Sequence, residues 1–446
     1  MFDTLIHNAR MVDGCGNPWY RGSLAIQDGR IAAVGHIPAA AQARKTMDAR
    51  DMVVCPGFID AHVHSDLALL ADPEFPGGLY QGVTTHIIGQ DGVSYAPAAP
   101  QTQAFYRHYF AAVNQNPPNL GQWRSVAEFL AQFDGRTSAN VAYLVPHGTV
   151  RIEVMGLDER APTPAEIRQM QALVAQGMAD GAVGLSTGLE YLPCAYAETA
   201  ELIALCRPVA AAGGIYVTHM RSYRPESVAS AVAETLSIGR EAALPVHISH
   251  FNGLADMLLP MIEDGRAAGI DITYDTYPYL AGSTILAMVA LPRWVQTGGI
   301  DATVERLRQH ETRARLREWF EAPQRDWAQI RLSAVNLPEH KAYEGLSVRA
   351  AAQLAGQSVG DFVCDVLAKE QMVVGCIAFT TWRSDDDVRR IMQHPAHMAG
   401  SDGIYVGGKP HPRGYGTFAR DLGEYVREQK ALRLEEMVRH MTSAPA

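Results

Sequence analysis

The 446-residue sequence predicts an α/β fold, a (β/α)8 TIM barrel preceded by a small β domain and interrupted by an inserted subdomain. Three observations support this prediction. From Val53 onward, short apolar runs alternate with helical patterns, as in parallel βα units. Eight such runs are present, which is the number of strands in this barrel. More than 100 residues separate the seventh and eighth runs, far beyond an ordinary βα connection.

The predicted barrel strands are bounded by helix signals and turn residues. They lie at 53–60, 83–89, 139–146, 182–187, 214–219, 245–250, 270–275 and 396–402. The clearest helix begins at Thr163, where Glu166 completes a capping box and Pro164 occupies the first helical position. A second helix is predicted at 225–241, and the long segment contains the helical pattern "VERLRQHETRARLREWF".

These patterns divide the chain into three parts. Residues 1–55 show brief apolar runs broken at Asp-Gly pairs, which is typical of β-hairpins, and predict a small β domain. Residues 56–446 predict the barrel, with a lid-like inserted subdomain at about 285–375. The sequence contains no internal repeats and no low-complexity tracts.

The composition and charge of the chain argue against several classes of binding partner. The formal charge of −10 is spread without acidic or basic blocks, which argues against nucleic acid. No run approaches 18 apolar residues, so no membrane span is expected. Six cysteines form no CxxC pair, and the N-terminus lacks a charged segment followed by an apolar core. We therefore expect a cytoplasmic enzyme or binding protein with a small-molecule ligand, of unknown oligomeric state.

Polar side chains that suit a metal ion follow several predicted strands. They are His62 and His64 after strand one, Asp91 after strand two, His219 after strand five, His250 after strand six and Asp402 after strand eight. Barrel enzymes carry their chemistry at these strand ends. Residues two apart in a strand point to the same side, so His62 and His64 are expected to bind one ion together. Imidazole and carboxylate groups favour zinc.

Structural alternatives exist for each of these residues. A single histidine at a strand end is more often a hydrogen-bonded core residue, although four on three ordered strands favour ligands. Asp402 alone would also suit a helix N-cap, and Asp91 an Asx-turn before Gly92.

Several longer stretches resemble the amidohydrolase superfamily, and more closely the N-acyl-D-amino-acid deacylases (D-aminoacylases). The matching stretches are "VVCPGFIDAHVHSD", "GVTTHIIGQDGVSYAP", "HGTVRIEVMG", "GAVGLSTGLEY", "YVTHMRS", "PVHISH", "TYDTYPYLAGST" and "GSDG…HPRGYGTFARDLGEYVRE". The resemblance covers nearly the whole chain. It implies a barrel of the metal-dependent hydrolase type that binds one or two Zn²⁺ ions.

The resemblance also implies roles for individual residues. His62 and His64 would bind the first metal, His219 and His250 the second, and Asp402 would be the general base and a possible ligand. The carboxylate of the amino-acid product would be held by Tyr277, Ser283 and Arg413, and Tyr191 would be a further substrate-binding residue. A structural salt bridge remains the alternative for Arg413, and a polar turn the alternative for Tyr277 and Ser283.

The sequence departs from the family pattern at four points. Asp91 stands where relatives usually carry cysteine, and because no lysine lies between 46 and 340, a carboxylated lysine cannot bridge two metals in strands one to seven. Asp91 is therefore the candidate bridge. Ser222-Tyr223 and Phe251-Asn252 replace an acidic and a basic residue near the second-site histidines. Relatives also continue beyond the point corresponding to 446, so we expect the C-terminal half of the small β domain to be missing.

The activity implied is hydrolysis of N-acyl-D-amino acids to a carboxylate and a free D-amino acid. Zinc would lower the pKa of a bound water toward 7, and Asp402 would accept its proton and pass it to the leaving amine. The alternatives are a related hydrolase of a dipeptide, cyclic amide or lactone, and a barrel that only binds metal.

Overall fold

The computed structural model describes residues 1–38, 40–322 and 326–446. Its first part is a five-stranded sheet in the order β3-β2-β1-β4, with β5 also paired to β1. The strands are β1 (Phe2–Met11), β2 (Tyr20–Gln27), β3 (Arg30–Gly35), β4 (Ala43–Asp48) and β5 (Val53–Val54). Asp28 and Gly29 both have positive φ, at 52° and 70°, which matches the tight antiparallel connection from β2 to β3.

The prediction of one continuous strand at 53–60 is wrong. Val53–Val54 pairs with β1, whereas the barrel strand begins only at Phe58. Pro56 and Gly57 separate the two, and proline has no N–H to continue a ladder. A Cβ on Gly57 would lie 2.2 Å from the Thr84 hydroxyl oxygen, so the chain enters the barrel through a position that only glycine fits.

Eight parallel strands then form the barrel, which confirms the predicted fold class. They are β6 (Phe58–Asp60), β7 (Val83–Ile88), β8 (Asn140–Pro146), β9 (Gly184–Gly188), β10 (Ile215–His219), β11 (Val246–Ile248), β12 (Ile272–Thr276) and β16 (His397–Ala399), in the order β16-β12-β11-β10-β9-β8-β7-β6. The first and last strands meet where the Ala61 N–H donates to the Ala399 carbonyl (3.2 Å) and Val63 bridges to Gly403.

Between β12 and β16 lies a three-stranded antiparallel sheet. It consists of β13 (Ala281–Ile285), β14 (Ile330–Ala334) and β15 (Gly375–Phe379), with β15 in the middle. Helices of the same segment pack on it around an apolar cluster that includes Leu332, Phe362 and Val363. The strand β13 also borders the cavity described below. The domain boundaries at 55, 285 and 375 stay predictions.

The helices of the structure connect the barrel strands, belong to the segment between β12 and β16, or follow β16. They are α1 (Ala68–Ala71), α2 (Pro76–Leu79), α3 (Pro100–Tyr109), α4 (Ala111–Asn114), α5 (Val126–Leu130), α6 (His147–Met155), α7 (Pro164–Ala179), α8 (Thr199–Ala211), α9 (Val228–Ala242), α10 (Ala255–Ala267), α11 (Leu286–Ala290), α12 (Arg293–Gln296), α13 (Gly299–Arg308), α14 (His310–Glu321), α15 (Val348–Leu354), α16 (Val359–Lys369), α17 (Asp385–Met392), α18 (Arg413–Arg420) and α19 (Leu434–Met441). Short 3₁₀ turns occur at Gln90–Gly92, Cys194–Tyr196 and Pro338–Tyr343, and a π-helix at Asp421–Glu428.

The helix predictions agree with these bounds in part. The capping box at Thr163 and Glu166 is present at the start of α7. The helix predicted from 225 begins three residues later, and the helical pattern in the long segment divides at Gln309 into α13 and α14. Within the described ranges, no helix combines the length and apolarity needed to cross a bilayer.

Candidate metal centre and adjoining cavity

The six predicted metal ligands are all buried at the C-terminal end of the barrel. His219 is the last residue of β10, and the other five lie within a few residues of the ends of their strands: His62, His64, Asp91, His250 and Asp402. Asp402 precedes no helix, because the next helix, α18, begins at Arg413. The helix N-cap alternative for Asp402 is therefore wrong.

His62, His64 and Asp402 form one compact group of donors. Asp402 Oδ1 lies 3.3 Å from His64 Nε2 and 3.8 Å from His62 Nε2. One ligand atom from each of the three residues lies within 4.8 Å of the others, so a single cation can contact all three. These are the two histidines predicted from the HxH spacing, together with the carboxylate after the last strand.

A second group overlaps the first at His62 and adds Asp91 and His250. Asp91 Oδ1 lies 3.6 Å from His62 Nε2 and 3.9 Å from His250 Nε2. The other oxygen, Asp91 Oδ2, lies 3.5 Å from His64 Nε2. The two oxygens of Asp91 thus face ligands of both groups, which is the position required of a bridging carboxylate.

His219 stands beside these groups but belongs to neither of them. Its Nδ1 lies 3.0 Å from His250 Nε2 and 3.8 Å from Asp91 Oδ2. Its Nε2 lies 2.9 Å from the carboxylate of Glu190, which the sequence analysis did not identify. A carboxylate on the outer nitrogen of a histidine fixes the tautomer and directs the other nitrogen inward. This contact turns Nδ1 of His219 toward the donor groups.

The donor set fits a divalent cation such as zinc. His62 Nε2 and Asp91 Oδ1 are buried and have no hydrogen-bond partner. Buried polar atoms normally have partners, and imidazole and carboxylate atoms aimed at a common point are typical metal ligands. Asp91, His250 and Asp402 also have positive φ, at 58°, 36° and 48°. Backbone strain of this kind concentrates at functional sites.

The electrostatics of the group favour a cation. Burial raises the pKa of Asp91, but the imidazoles of His62, His64 and His219 outweigh this effect and hold it below its usual range. For His64, burial lowers the pKa, but Asp402 and Asp91 outweigh it and raise the value to about 10. A divalent cation would satisfy the same negative potential. Burial lowers the pKa of His250 to about 4, which keeps this ring neutral and able to bind metal.

Asp275, in β12, contacts the ligand residues His62 and His250, and no role was predicted for it. Its Oδ2 lies 3.5 Å from His62 Nδ1 and 3.0 Å from His247 Nε2. Its Oδ1 accepts a hydrogen bond from the His250 N–H (2.8 Å). Asp275 therefore orients one residue that belongs to both donor groups and fixes the backbone of another ligand.

We expect Asp275→Asn to lower zinc affinity by about 10- to 100-fold, because second-sphere carboxylates orient the histidine ligands. Competition with a chromophoric chelator measures this change directly. Asp271→Asn is the matched control, since Asp271 is exposed and immediately precedes the same strand. Equal zinc affinity in both variants and the wild type would contradict the role of Asp275.

A cavity of about 200 Å³ opens beside the metal ligands. Its wall includes all four predicted substrate-binding residues, which are Tyr191, Tyr277, Ser283 and Arg413. It also includes Glu190, Asn252 and Arg383, for which no role was predicted. The sequence marks these residues only weakly. Glu190 follows the end of β9, as most of the predicted ligands follow their strands, whereas Arg383 lies outside every predicted barrel strand.

Arg413 has two sets of contacts in this cavity. Its Nη1 lies 2.8 Å from Asp402 Oδ2, and its Nη2 donates to the Ser283 carbonyl (3.0 Å). The guanidinium also lies over the ring of Tyr277, 4.6 Å from its centroid. The ion pair considered as an alternative for Arg413 is thus present, and its partner is the predicted general base.

Comparisons with known proteins agree with this architecture. A model of the amidohydrolase family matches residues 45–446. The chain is 35% identical to a D-aminoacylase of Alcaligenes xylosoxydans xylosoxydans, with 100% of this chain and 83% of the relative covered.

Solved structures add two close matches. An N-acyl-D-glutamate deacylase from Bordetella bronchiseptica, complexed with zinc and a phosphonate that mimics the tetrahedral intermediate, gives a TM-score of 0.82 at 33% identity, covering 100% of this chain and 85% of that one. A D-aminoacylase studied for its binuclear metal centre gives 0.81 at 32%, with the same coverage. The resemblance noted in the sequence is confirmed, and the chain belongs to the amidohydrolase family, among its D-aminoacylases and N-acyl-D-amino-acid deacylases.

Proposed function

We propose that this protein hydrolyses the amide bond of N-acyl-D-amino acids, with one or two zinc ions held by His62, His64, Asp91, His219, His250 and Asp402. The observation that carries the proposal is the convergence of two overlapping His/Asp donor groups beside a cavity that contains Arg413 and Tyr277. The named activities and the zinc of the similar proteins support the same chemistry.

The ion would supply a water of pKa near 7 and polarise the amide carbonyl. The side chains around it provide the proton transfers. Asp402 Oδ2 is held by Arg413, which leaves Oδ1 facing the donor groups. Oδ1 takes a proton as the water oxygen bonds to the amide carbon, and returns it to the nitrogen as the C–N bond breaks. The products are a carboxylate and a free amine.

Asp402 is ionised at neutral pH and can therefore accept a proton. Burial raises its pKa, but the Arg413 guanidinium and the neighbouring imidazoles outweigh this effect and lower the value to about 2. The side chain is therefore ionised before substrate binds. The orientation imposed by Arg413 also keeps the free oxygen directed toward the site of attack.

The cavity also favours an amino-acid derivative as the substrate. Its polar part contains Tyr277, Ser283 and Arg413, whose guanidinium and hydroxyl groups suit a carboxylate. Met288, Val289 and Trp382 supply an apolar part of the wall. An acyl group or an apolar side chain would bury against these residues while the carboxylate lies at the polar end.

A substrate panel combined with metal analysis tests the proposal. We expect purified enzyme to contain about one to two zinc ions per chain, and to hydrolyse N-acetyl-D-amino acids at least 100-fold faster than the L-isomers, dipeptides and hydantoins. Removal of zinc by a chelator should abolish turnover, and zinc should restore it. Preferential cleavage of a hydantoin, lactone or dipeptide would assign the site to a related hydrolase instead.

A further inference from the structure

A second guanidinium, that of Arg383, lies in the cavity wall and has no role in the chemistry described so far. Arg383 lies between β15 and α17, outside the barrel strands. It is only 6% exposed, although arginine is rarely this buried without a charged partner. It shares the cavity with Tyr277, Arg413 and the metal ligands Asp91 and Asp402.

The contacts of Arg383 hold the group in place but do not neutralise it. Nη1 donates to the side-chain oxygen of Asn252 (2.7 Å), and Nη2 to the carbonyl of Tyr279 (2.7 Å). Its Nε is buried and has no partner. Across residues 1–38, 40–322 and 326–446, no carboxylate forms a salt bridge with Arg383. Arg413, the other arginine of the cavity, already pairs with Asp402.

A buried charge that faces only neutral acceptors is costly. Burial lowers the pKa of Arg383, and the carboxylates of Asp387 and Asp385, which form no salt bridge with it, only partly offset this loss of hydration. The group remains a cation, because arginine retains its proton in proteins. An anionic group entering the cavity would remove this cost.

The structure fixes the guanidinium relative to the metal centre. The side-chain oxygen of Asn252 also accepts from Thr276 Oγ1 (2.9 Å), and its Nδ2 donates to the carbonyl of His250 (2.7 Å). Asp387 Oδ1 accepts from the Ala255 N–H (2.9 Å), which ties the segment of Arg383 to the loop after β11. Asn252 is thus a positioning residue that links Arg383 to a metal ligand.

We propose that Arg383 binds a carboxylate group of the substrate and makes the enzyme select anionic over neutral N-acyl compounds. This inference rests on the proposed deacylase function and assigns separate roles to the two arginines of the cavity. Arg413 pairs with Asp402 and also borders the carboxylate end of the cavity, whereas Arg383 adds a guanidinium that no salt bridge occupies among the described residues. Two N–H···O⁻ bonds to a desolvated carboxylate are among the stronger polar contacts in proteins.

Arg383→Gln tests this role when acid and amide substrates are compared. N-acetyl-D-methionine and its carboxamide contain the same scissile bond and differ in the charge of one end. We expect the variant to lower the acid-to-amide ratio of kcat/KM by about 10- to 150-fold, as a charged hydrogen bond of the usual strength predicts. Arg383→Lys should retain more of this ratio, and Arg390→Gln should leave it unchanged, since Arg390 is partly exposed and paired with Asp256.

The source of the carboxylate is resolved by a second pair of substrates. If Arg383 binds the side-chain carboxylate of an acidic amino acid, Arg383→Gln will lower the ratio of N-acetyl-D-glutamate to N-acetyl-D-glutamine instead of the first ratio. Either result supports a carboxylate contact. Equal losses on acids and amides, in both pairs, would show a purely structural arginine and overturn the inference.

Binding of the product separates this inference from the deacylase proposal. Calorimetry with D-methionine and D-methioninamide requires no turnover. We expect wild-type enzyme to prefer the carboxylate, and Arg383→Gln to lose that preference. If wild-type enzyme cleaves no N-acyl-D-amino acid but this difference is present, the deacylase proposal fails and the carboxylate site stands. If the variant keeps the wild-type preference both for D-methionine over D-methioninamide and for D-glutamate over D-glutamine, the inference about Arg383 fails whatever the enzyme cleaves.

Discussion

Replacement of Asp402 with Asn is expected to lower kcat by about 10²- to 10⁴-fold, the usual contribution of a positioned general base. The amide preserves size and the contact with His64 but cannot accept the proton of the attacking water. Two histidines of the first donor group and the whole second group remain, so zinc content should stay near that of the wild type. Steady-state kinetics with parallel elemental analysis measures both quantities.

A substitution at an exposed aspartate is the matched control for this prediction. Asp386→Asn removes a carboxylate of the same size from an exposed position on α17, and should change neither kcat nor zinc content. Near-normal kcat in Asp402→Asn would refute its role as the base. A large loss of zinc in the same variant would show instead that Asp402 acts mainly as a ligand.

The barrel was predictable because its strands are short apolar runs between helix and turn signals, and because barrel enzymes place polar groups at strand ends. His62 and His64 illustrate the limit of that reasoning. The strand β6 ends at Asp60, two residues before His62. Both histidines therefore lie outside the regular strand geometry from which their common orientation was predicted. Both rings nevertheless reach one carboxylate oxygen, because the Val63–Gly403 bridge holds this segment against the last strand.

The cavity wall was less predictable, because its residues come from distant parts of the chain. The sequence shows Asn252 only as the loss of a basic residue that relatives usually carry after the second-site histidine. In the fold, the side chain of Arg383 contacts Asn252 across 131 positions. No local pattern marks such a contact, since it depends on how the segment before α17 packs against the barrel. Glu190 and Asp275 are intermediate cases: both are polar residues near strand ends that lacked a recognised spacing.

His62 is the residue whose loss should affect the metal centre most. It is the one histidine shared by the two donor groups, since its Nε2 lies 3.6 Å from Asp91 Oδ1 and 3.8 Å from Asp402 Oδ1. His62→Asn therefore weakens both groups together. We expect the purified variant to contain close to no zinc after dialysis and to show only background turnover, because few ligands would remain at either position.

Variants of His64 and His250 test whether His62 serves both donor groups. His64→Asn leaves the group of His62, Asp91 and His250 intact, and His250→Asn leaves that of His62, His64 and Asp402. Each should therefore retain more zinc than His62→Asn, as measured by elemental analysis at equal free zinc. Circular dichroism establishes that all three variants are folded. Equal zinc loss in the three would mean that the ligands act as one indivisible cluster, whereas full zinc retention in His62→Asn would remove this histidine from the centre.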